Sequence, residues 1–460
     1  VTRPGLAALA LLLVGAPASA SGQQALTVEE AIRQARLHSP AYQQALNDLG
    51  VADARTRAGW AAFLPSLSLS ANTGGGSSTR VTGESDAGEP IRLPSPIEYS
   101  NSSSSQTVSL NMTLFEGGRR FHDLGGARAD AVATRSRVHA SMLSLDAQVA
   151  SLYWQLVQRE RRIAIEESLL AAALEQLEGI SRMVAVAAAG PEDVLGAEVD
   201  VAAQELALER ARGEARKAEL ALLETMGVQL GQEVEPTSAP PPVIDPASLD
   251  REALIARAVE AHPDVVAARA AADAAEDAAD AARSGRWPTI GGSASYGRSM
   301  GLSSYDALFE PNPENRSFNF GLSVSLPIFN RFQTTTAIAT ADASWEDAQA
   351  EVRARRLAVE RAVREALIDL DNAARALALA ERSAELSRER VELARERFRL
   401  GGISFTELQS VINRAAQAER DALDARFGWA QAWVALDQRT GGVLEGGVGA
   451  DLLPPDGDAD

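Results

Sequence analysis

The stretch Val108–Arg120, VSLNMTLFEGGRR, sets the terms for the whole chain. Val108, Leu110, Met112 and Leu114 are apolar and alternate with the polar Ser109, Asn111 and Thr113. A period of two marks a strand with one oily and one wet face. Phe115-Glu116-Gly117-Gly118 breaks the strand, and a helical pattern then runs from Gly118 to about Ala188 with hardly a breaker. Globular helices average about 11–12 residues, so a strand that feeds such a helix needs an unusual fold. The same construction recurs at Phe318–Gln333.

The recurrence is an internal duplication. Pro40 and Pro65 are 25 positions apart, as are Pro263 and Pro288; Phe115 and Gly227 are 112 apart, as are Phe329 and Gly441. The copies align at an offset of 223 before the strand-connecting loop and 214 after it. The difference falls in a polar loop, where insertions cost little. The first repeat is read as 21–228: a helix (Thr27–Leu37) stopped by a Pro, a second helix (Ala41–Ala61), a β-hairpin over 64–116, a long helix over 118–188 and a return helix over 191–227. The second repeat, 249–441, has the same order: helices at Arg251–Ala261 and Asp264–Gly285, a hairpin over 287–329, a long helix over 331–400 and a return helix over 403–440. The hairpin loops are placed at Thr73–Ser105 and Gly297–Ser317. A Pro-rich linker, 229–248, joins the repeats, and 442–460 reads as a disordered acidic tail. Residues 1–20 read as a secretory signal peptide, with Arg3, the apolar run Leu6–Val14 and an Ala18-Ser19-Ala20 cleavage site. The alternative there is a buried helix.

The strands carry the functional argument. Leu67, Leu69 and Ala71 alternate with serines; Ile290, Ala294 and Tyr296 do the same; Phe318, Phe320, Leu322, Val324, Leu326 and Ile328 share one face. Such alternation also suits a soluble sheet covered on one side. Against that, the neighbouring helices are patterned to pack on each other. Met142, Val149, Leu156, Ile163, Leu170, Leu177 and Val184 fall on a strict heptad. Shifted by 214, the positions are Arg356, Val363, Leu370, Leu377, Ala384, Val391 and Phe398, broken only by Arg356. Trp60, Phe63, Phe115, Trp287 and Phe329 sit at strand ends, where an aromatic girdle would lie. Four strands cannot close a barrel, since roughly eight is the practical minimum, and lipid forbids an open edge. Three chains would give twelve strands and, counting each long helix and its stacked partner helices as rods, twelve rods. The fold class expected is therefore mainly α with a membrane β-barrel: a trimer with a twelve-stranded barrel on a twelve-helix periplasmic α-barrel.

Composition closes other routes. Asp+Glu is 63 against Lys+Arg 44, a net charge of −19, which leaves no basic footprint for nucleic acid. There are no cysteines, hence no disulfide, zinc–thiolate site, thiol nucleophile or lipidated N-terminal Cys. His38, His122, His139 and His262 are scattered without metal-ligand spacing. No nucleophile–base pair or phosphate loop is legible, so the reading is not an enzyme, with no catalytic residues, cofactor or metal. Outside the first residues no run of ~18 apolar residues occurs, so no transmembrane helix is expected.

Over about Leu26–Gly441 the chain resembles the TolC-type outer-membrane efflux protein family. The resemblance rests on LFEGGRR (Leu114–Arg120), the paired strand starts FLPSLSLS and RWPTIGGS, and FRLGGISFTEL (Phe398–Leu408). It implies a homotrimeric outer-membrane channel with a large periplasmic part. Such a channel is the passive exit duct of a tripartite efflux or type I secretion system, opened when a periplasmic adaptor protein, serving an inner-membrane transporter, docks at the helix tips. The family closes those tips with an aromatic before a Gly, an Arg two residues after it and acids six and nine after it. Here those positions hold Phe398, Ile403, Glu407 and Ser410, counted from Gly401. The aromatic and the first acid are kept; the Arg and second acid are not. The tip set is thus Gly190, Asp193, Phe398, Gly401, Gly402, Ile403, Glu407 and Ser410. Glu407, joined by Asp193, is read either as an acidic constriction or as a solvated carboxylate favoured by a helix start. The strand–helix corner set is Phe115, Gly117, Gly118 and Phe329. The alternative function is a soluble periplasmic coiled-coil spacer with β caps. The cargo is not legible.

Overall fold

Both repeats are dominated by a helix of 67 residues, Arg119–Ala185 and Gln333–Arg399, returned by one of 36 residues, Pro191–Met226 and Phe405–Thr440. The computed structural model describes residues 24–84, 90–186, 190–231, 234–301 and 315–444. The expected signal peptide and nearly all of the expected tail lie outside them. In chain order the elements are Gln24–Leu26 (β1), Val28–His38 (α1), Pro40–Ala61 (α2), Ser66–Glu84 (β2), Pro90–Phe115 (β3), Arg119–Ala185 (α3) and Pro191–Met226 (α4). Val234–Pro236 (β4), Arg251–Ala261 (α5), Pro263–Arg283 (α6), Thr289–Gly301 (β5), Asn315–Ser325 (β6), Gln333–Arg399 (α7) and Phe405–Thr440 (α8) follow. Pro40 and Pro263 open the second helices as well as ending the first, because a helix's first turn needs no N–H.

The described residues form two compact units. One draws on Gln44–Ala140 and Val259–Glu360. It holds a four-stranded antiparallel sheet in the order β2-β3-β5-β6, so β2 and β6 are its edges. The strands exceed expectation. The β2–β3 ladder runs on from Thr73↔Ser104 to Glu84↔Pro90, where a loop over Thr73–Ser105 was expected. The β5–β6 ladder likewise enters the expected Gly297–Ser317 loop, to Ser299↔Asn315. Serine and glycine carry no apolar alternation, yet backbone pairing continues through them. At the other end β6 stops at Ser325, before Leu326 and Ile328.

The strand–helix corners explain the joint. Gly117 and Gly118 have φ of 67° and 90°. At the offset of 214 stand Arg331 and Phe332, with φ of 54° and 62°. Both corners thus use two successive left-handed residues, which glycine adopts freely and other L-residues adopt at a cost. Ser284 Oγ donates to Gly117 O at 2.9 Å. Arg120 donates to Ala62 O and Leu114 O and lies over the Phe63 ring at 5.1 Å, stapling the first corner. Asn330 Nδ2 donating to Thr334 Oγ1 at 2.6 Å does a smaller version of this at the second.

The other unit draws on Val1–Gln43, Ser141–Ala258 and Arg361–Asp460, within the described residues. Its heptad seam is buried in part: Val149 and Val363 are fully enclosed and Leu156, Leu370, Leu377 and Ala384 nearly so, whereas Ile163, Leu170, Leu177, Val184 and Phe398 are half-buried. Glu166 on α3 is bound by Arg420 of α8 at 2.6 and 2.9 Å and by Arg162 at 2.8 Å. Burial raises its pKa, but the two guanidiniums outweigh this and hold it below the usual range. Part of the expected linker is ordered. Val234–Pro236 pairs in parallel with Gln24–Leu26. The buried Tyr153 hydroxyl donates to Leu26 O at 2.8 Å and accepts from Ser238 N at 2.9 Å.

Two predictions follow from this packing. A Cβ on Gly117 would lie 2.7 Å from Trp287 Cβ and 2.9 Å from Ser284 O, whereas one on Gly118 meets nothing within 4 Å. Gly118→Ala should therefore cost about 1 kcal/mol, the left-handed penalty alone, and Gly117→Ala clearly more, read as a larger drop in the thermal midpoint. The second concerns Glu160, whose pKa is pushed up to about 7, first by burial and then by Glu235 and Glu219. The folded state then holds that proton more tightly than the unfolded chain. The group's contribution is complete below about 4.5 and lost as pH rises toward 7. Glu160→Gln should raise stability at pH 8 by about 1 kcal/mol after solvent screening and leave it unchanged at pH 4, measured by unfolding at both pH values.

Candidate functional site

The helix turns at the far end of α3 and α7 hold the residues singled out in the sequence. In the second repeat, Gly401 N donates to Phe398 O at 2.9 Å and Gly402 N to Arg397 O at 2.8 Å. With Gly401 at φ 71°, this is a Schellman stop for α7. Ser404 then caps α8, its Oγ accepting from Glu407 N at 3.2 Å. In the first repeat, Gly190 begins α4 and Asp193 turns back on it. Asp193 Oδ2 accepts from Gly190 N at 3.0 Å while Asp193 N donates to Gly190 O at 3.1 Å. Residues 187–189, the rest of that turn, lie outside the described residues.

These caps show what the two acids do locally. Asp193 commits a carboxylate oxygen to its own helix start. Glu407 stands exposed in the first turn of α8, where the helix dipole favours it. They do not share one surface. Asp193 lines a groove of about 830 Å³ between α4 and α8, together with Glu192, Asp200, Ser410 and Arg414; Glu407 lies off it. Ile403, standing where the resemblance calls for Arg, packs with Phe398 and Ile412 on Val391, Ala394, Leu408, Val411 and Ala415. An apolar contact has replaced a cation there.

The residue that gathers the tip was not singled out in the sequence. Phe405 of α8 is buried with Ile180 of α3 and Ala197 of α4, and Leu177, Val184, Val194 and Phe398 pack around it. Its ring centroid is 6.3 Å from that of Phe398. The signal for it was present, since Phe405, Leu408, Ile412 and Ala415 follow helical periodicity. A polar clasp also escaped notice. Gln176 of α3 donates to Gln409 Oε1 of α8 at 3.0 Å, and Gln409 Nε2 donates to Asp200 of α4. These amides, with Gln204 and the apolar Leu169 and Ala173, line a cavity of about 20 Å³. Gln204 Oε1 is enclosed there without a partner. Burial raises the pKa of Asp200.

A sheet with apolar side chains on one face, continued through corners into long helices with returned tips, defines an outer-membrane channel architecture. The profile of the outer membrane efflux protein family matches residues 31–228 and 254–442, and the chain belongs to that family. The match falls in two segments, one in each half of the chain. Protein CyaE of Bordetella pertussis is 29% identical over 360 residues, 76% of this chain and 70% of that protein. A membrane protein from Pseudomonas aeruginosa superposes with a TM-score of 0.74 at 22% identity, covering 90% of this chain and 93% of that one. The outer membrane protein VceC of Vibrio cholerae does so with a TM-score of 0.72 at 17% identity, over 91% and 97%. The fold is TolC-like, and the family consists of channels rather than enzymes.

The clasp yields a test. Gln409→Leu leaves the half-buried Asp200 without its amide donor and Gln176 without its acceptor, at a cost of about 1 kcal/mol. Hydrogen exchange should accelerate in the first turns of α4 and α8 and stay unchanged around Tyr153.

Proposed function

We propose that the chain is the passive exit duct of a tripartite efflux or type I secretion system, working as a homotrimer in the outer membrane with its helices in the periplasm. The observation that carries this reading is the sheet's pair of free edges, β2 and β6, beside an exposed apolar face. Phe320 is 82% exposed and Phe318 66%. Lipid accepts that face but not the edges, whose N–H and C=O groups need partners. Adjoining copies supply them, and three copies give twelve strands.

The helices support the same count of neighbours. Leu379, Leu386 and Leu393 form an exposed heptad stripe on α7, and Val199, Leu206 and Leu220 one on α4. Two different apolar stripes on one chain suit a head-to-tail contact that closes into a ring. At the tips, the groove with Glu192, Asp193, Ser410 and Arg414 offers mixed charge beside the Phe405 cluster. We assign it to the periplasmic adaptor, through which an inner-membrane transporter reaches the duct. Docking there would splay the tips; at rest three Glu407 side chains would narrow the passage, with Asp193 held back by its cap.

Single-channel recording tests the duct and its constriction together. The purified protein should insert in planar bilayers as a conducting trimer, and Glu407→Ala should raise resting conductance or weaken block by divalent cations. A monomer that stays soluble without detergent would overturn the channel. Conducting trimers unchanged by Glu407→Ala would overturn only the constriction.

A further inference from the structure

The apolar face of the sheet ends in two arginines. Following the register across the four strands, one rung reads Leu69, Val108, Tyr296 and Phe318. The next rung on that same face reads Ala71, Gln106, Arg298 and Arg316. Arg298 and Arg316 are therefore directly opposite each other on β5 and β6. Side chains so placed have Cβ atoms about 4.5–5.5 Å apart, and like charges there repel. Arg298 Nε donates to Gln106 Oε1 at 2.8 Å, which fixes its guanidinium and leaves both Nη groups to donate elsewhere. Neither arginine has a carboxylate partner among the described residues.

The position narrows what could settle that charge. From Phe318 to its end at Ser325, β6 makes seven steps, which at ~3.4 Å each and a tilt of ~40° rise about 18 Å, most of the height of a lipid-facing band. Phe329 and the α7 start mark the end from which the helices leave. The arginine rung is at the opposite end, one step past the aromatic pair Tyr296 and Phe318, where a membrane gives way to headgroups. A carboxylate on a soluble partner would not need the apolar face that continues below; a lipid would use both. Guanidinium forks match phosphate oxygens bidentately, and Gln106 Nε2 is a further donor.

We propose that Arg298, Arg316 and Gln106 form a binding site for the phosphate of an anionic lipid headgroup in the leaflet facing away from the helices, with the acyl chains along Tyr296, Phe318 and Phe320. The site rests on the reading of the sheet as a membrane barrel. Each chain has one, because Ala71 at the β2 end of the rung brings no charge. The phosphate removes the Arg–Arg repulsion across β5 and β6.

Native mass spectrometry of the detergent-solubilised trimer tests this, with bisphosphorylated lipid A, its fully dephosphorylated counterpart and inorganic phosphate as probes. The wild type should retain the phosphorylated lipid, one per chain, at least about tenfold better than the dephosphorylated one, as charge-assisted hydrogen bonds warrant. The double variant Arg298→Gln/Arg316→Gln should lose that preference, while Arg353→Gln on α7 should keep it. Equal retention of both lipids by the wild type, or an undiminished preference in the double variant, would overturn the proposal. Inorganic phosphate displacing the lipid at equal concentration would overturn the lipid assignment. Conductance in planar bilayers separates the two levels: conducting trimers without lipid preference sink only this site, whereas absence of insertion sinks the barrel beneath it.

Discussion

A strand at the edge of a sheet presents a row of unpaired backbone groups, and in hydrocarbon nothing but another strand can satisfy them. Here β2 and β6 carry such rows, and the sheet between them is apolar on one face. The rest of the structure answers that constraint. The ladder is extended far into serine- and glycine-rich chain, so that 19- and 26-residue strands keep pairing beyond any lipid band. In the proposed trimer the remaining two edges would pair with copies of the same chain. A hairpin of one repeat joins the hairpin of the other through β3 and β5, so the duplication itself already performs inside one chain the junction that neighbouring chains would repeat.

The copies share geometry more strictly than sequence. Both corners need two successive left-handed residues, yet only the first spends glycine on them. Arg331 and Phe332 hold the same conformation under strain. Phe332 sits edge-on to Phe329 with centroids 5.8 Å apart, both rings largely exposed. An aromatic pair is useful where lipid meets water, so in the proposed membrane barrel the second corner would trade backbone ease for an interfacial anchor. The helices follow the same rule. Their lengths are identical between copies, 67 and 36 residues, although the residues along them differ at most positions.

What could be read from the sequence was periodic, and what could not was either short or specific to one contact. The heptad at Val149, Leu156, Val363 and Leu370 predicts burial correctly because every seventh residue votes for the same face. The strand faces are legible for the same reason between Phe318 and Val324. Beyond Thr73 the alternation fades into Ser and Gly, and the ladder is then held by backbone alone, which leaves no trace in side-chain pattern. The three-residue pair β1 and β4 depends on Tyr153 bridging Leu26 and Ser238, partners far apart in sequence that no local pattern connects. The Gln176–Gln409–Asp200 clasp is of this kind too: three polar residues, each unremarkable on its own helix, become a unit only when α3, α4 and α8 meet.

That clasp bears on how the proposed tip would hold itself closed. An ion-paired closure weakens with salt and reforms by charge alone. In this chain the position that could hold a cation carries Ile403, packed among aliphatics, and Asp193 is bound to its own helix cap. What ties the two return helices to α3 is an aromatic plug and a set of half-buried amides. Phe405 sits where α3 and α4 converge, so α8 cannot swing away without exposing that ring. Gln409 cannot leave Asp200 without stranding a carboxylate in a site that burial has already made unfavourable for charge. Both contacts are short-ranged and lost together over a small displacement. Under the proposed mechanism such a tip would switch between two packed states rather than open by degrees, and an opener would have to offer contacts that replace the plug and the amides, which screening by salt does not supply.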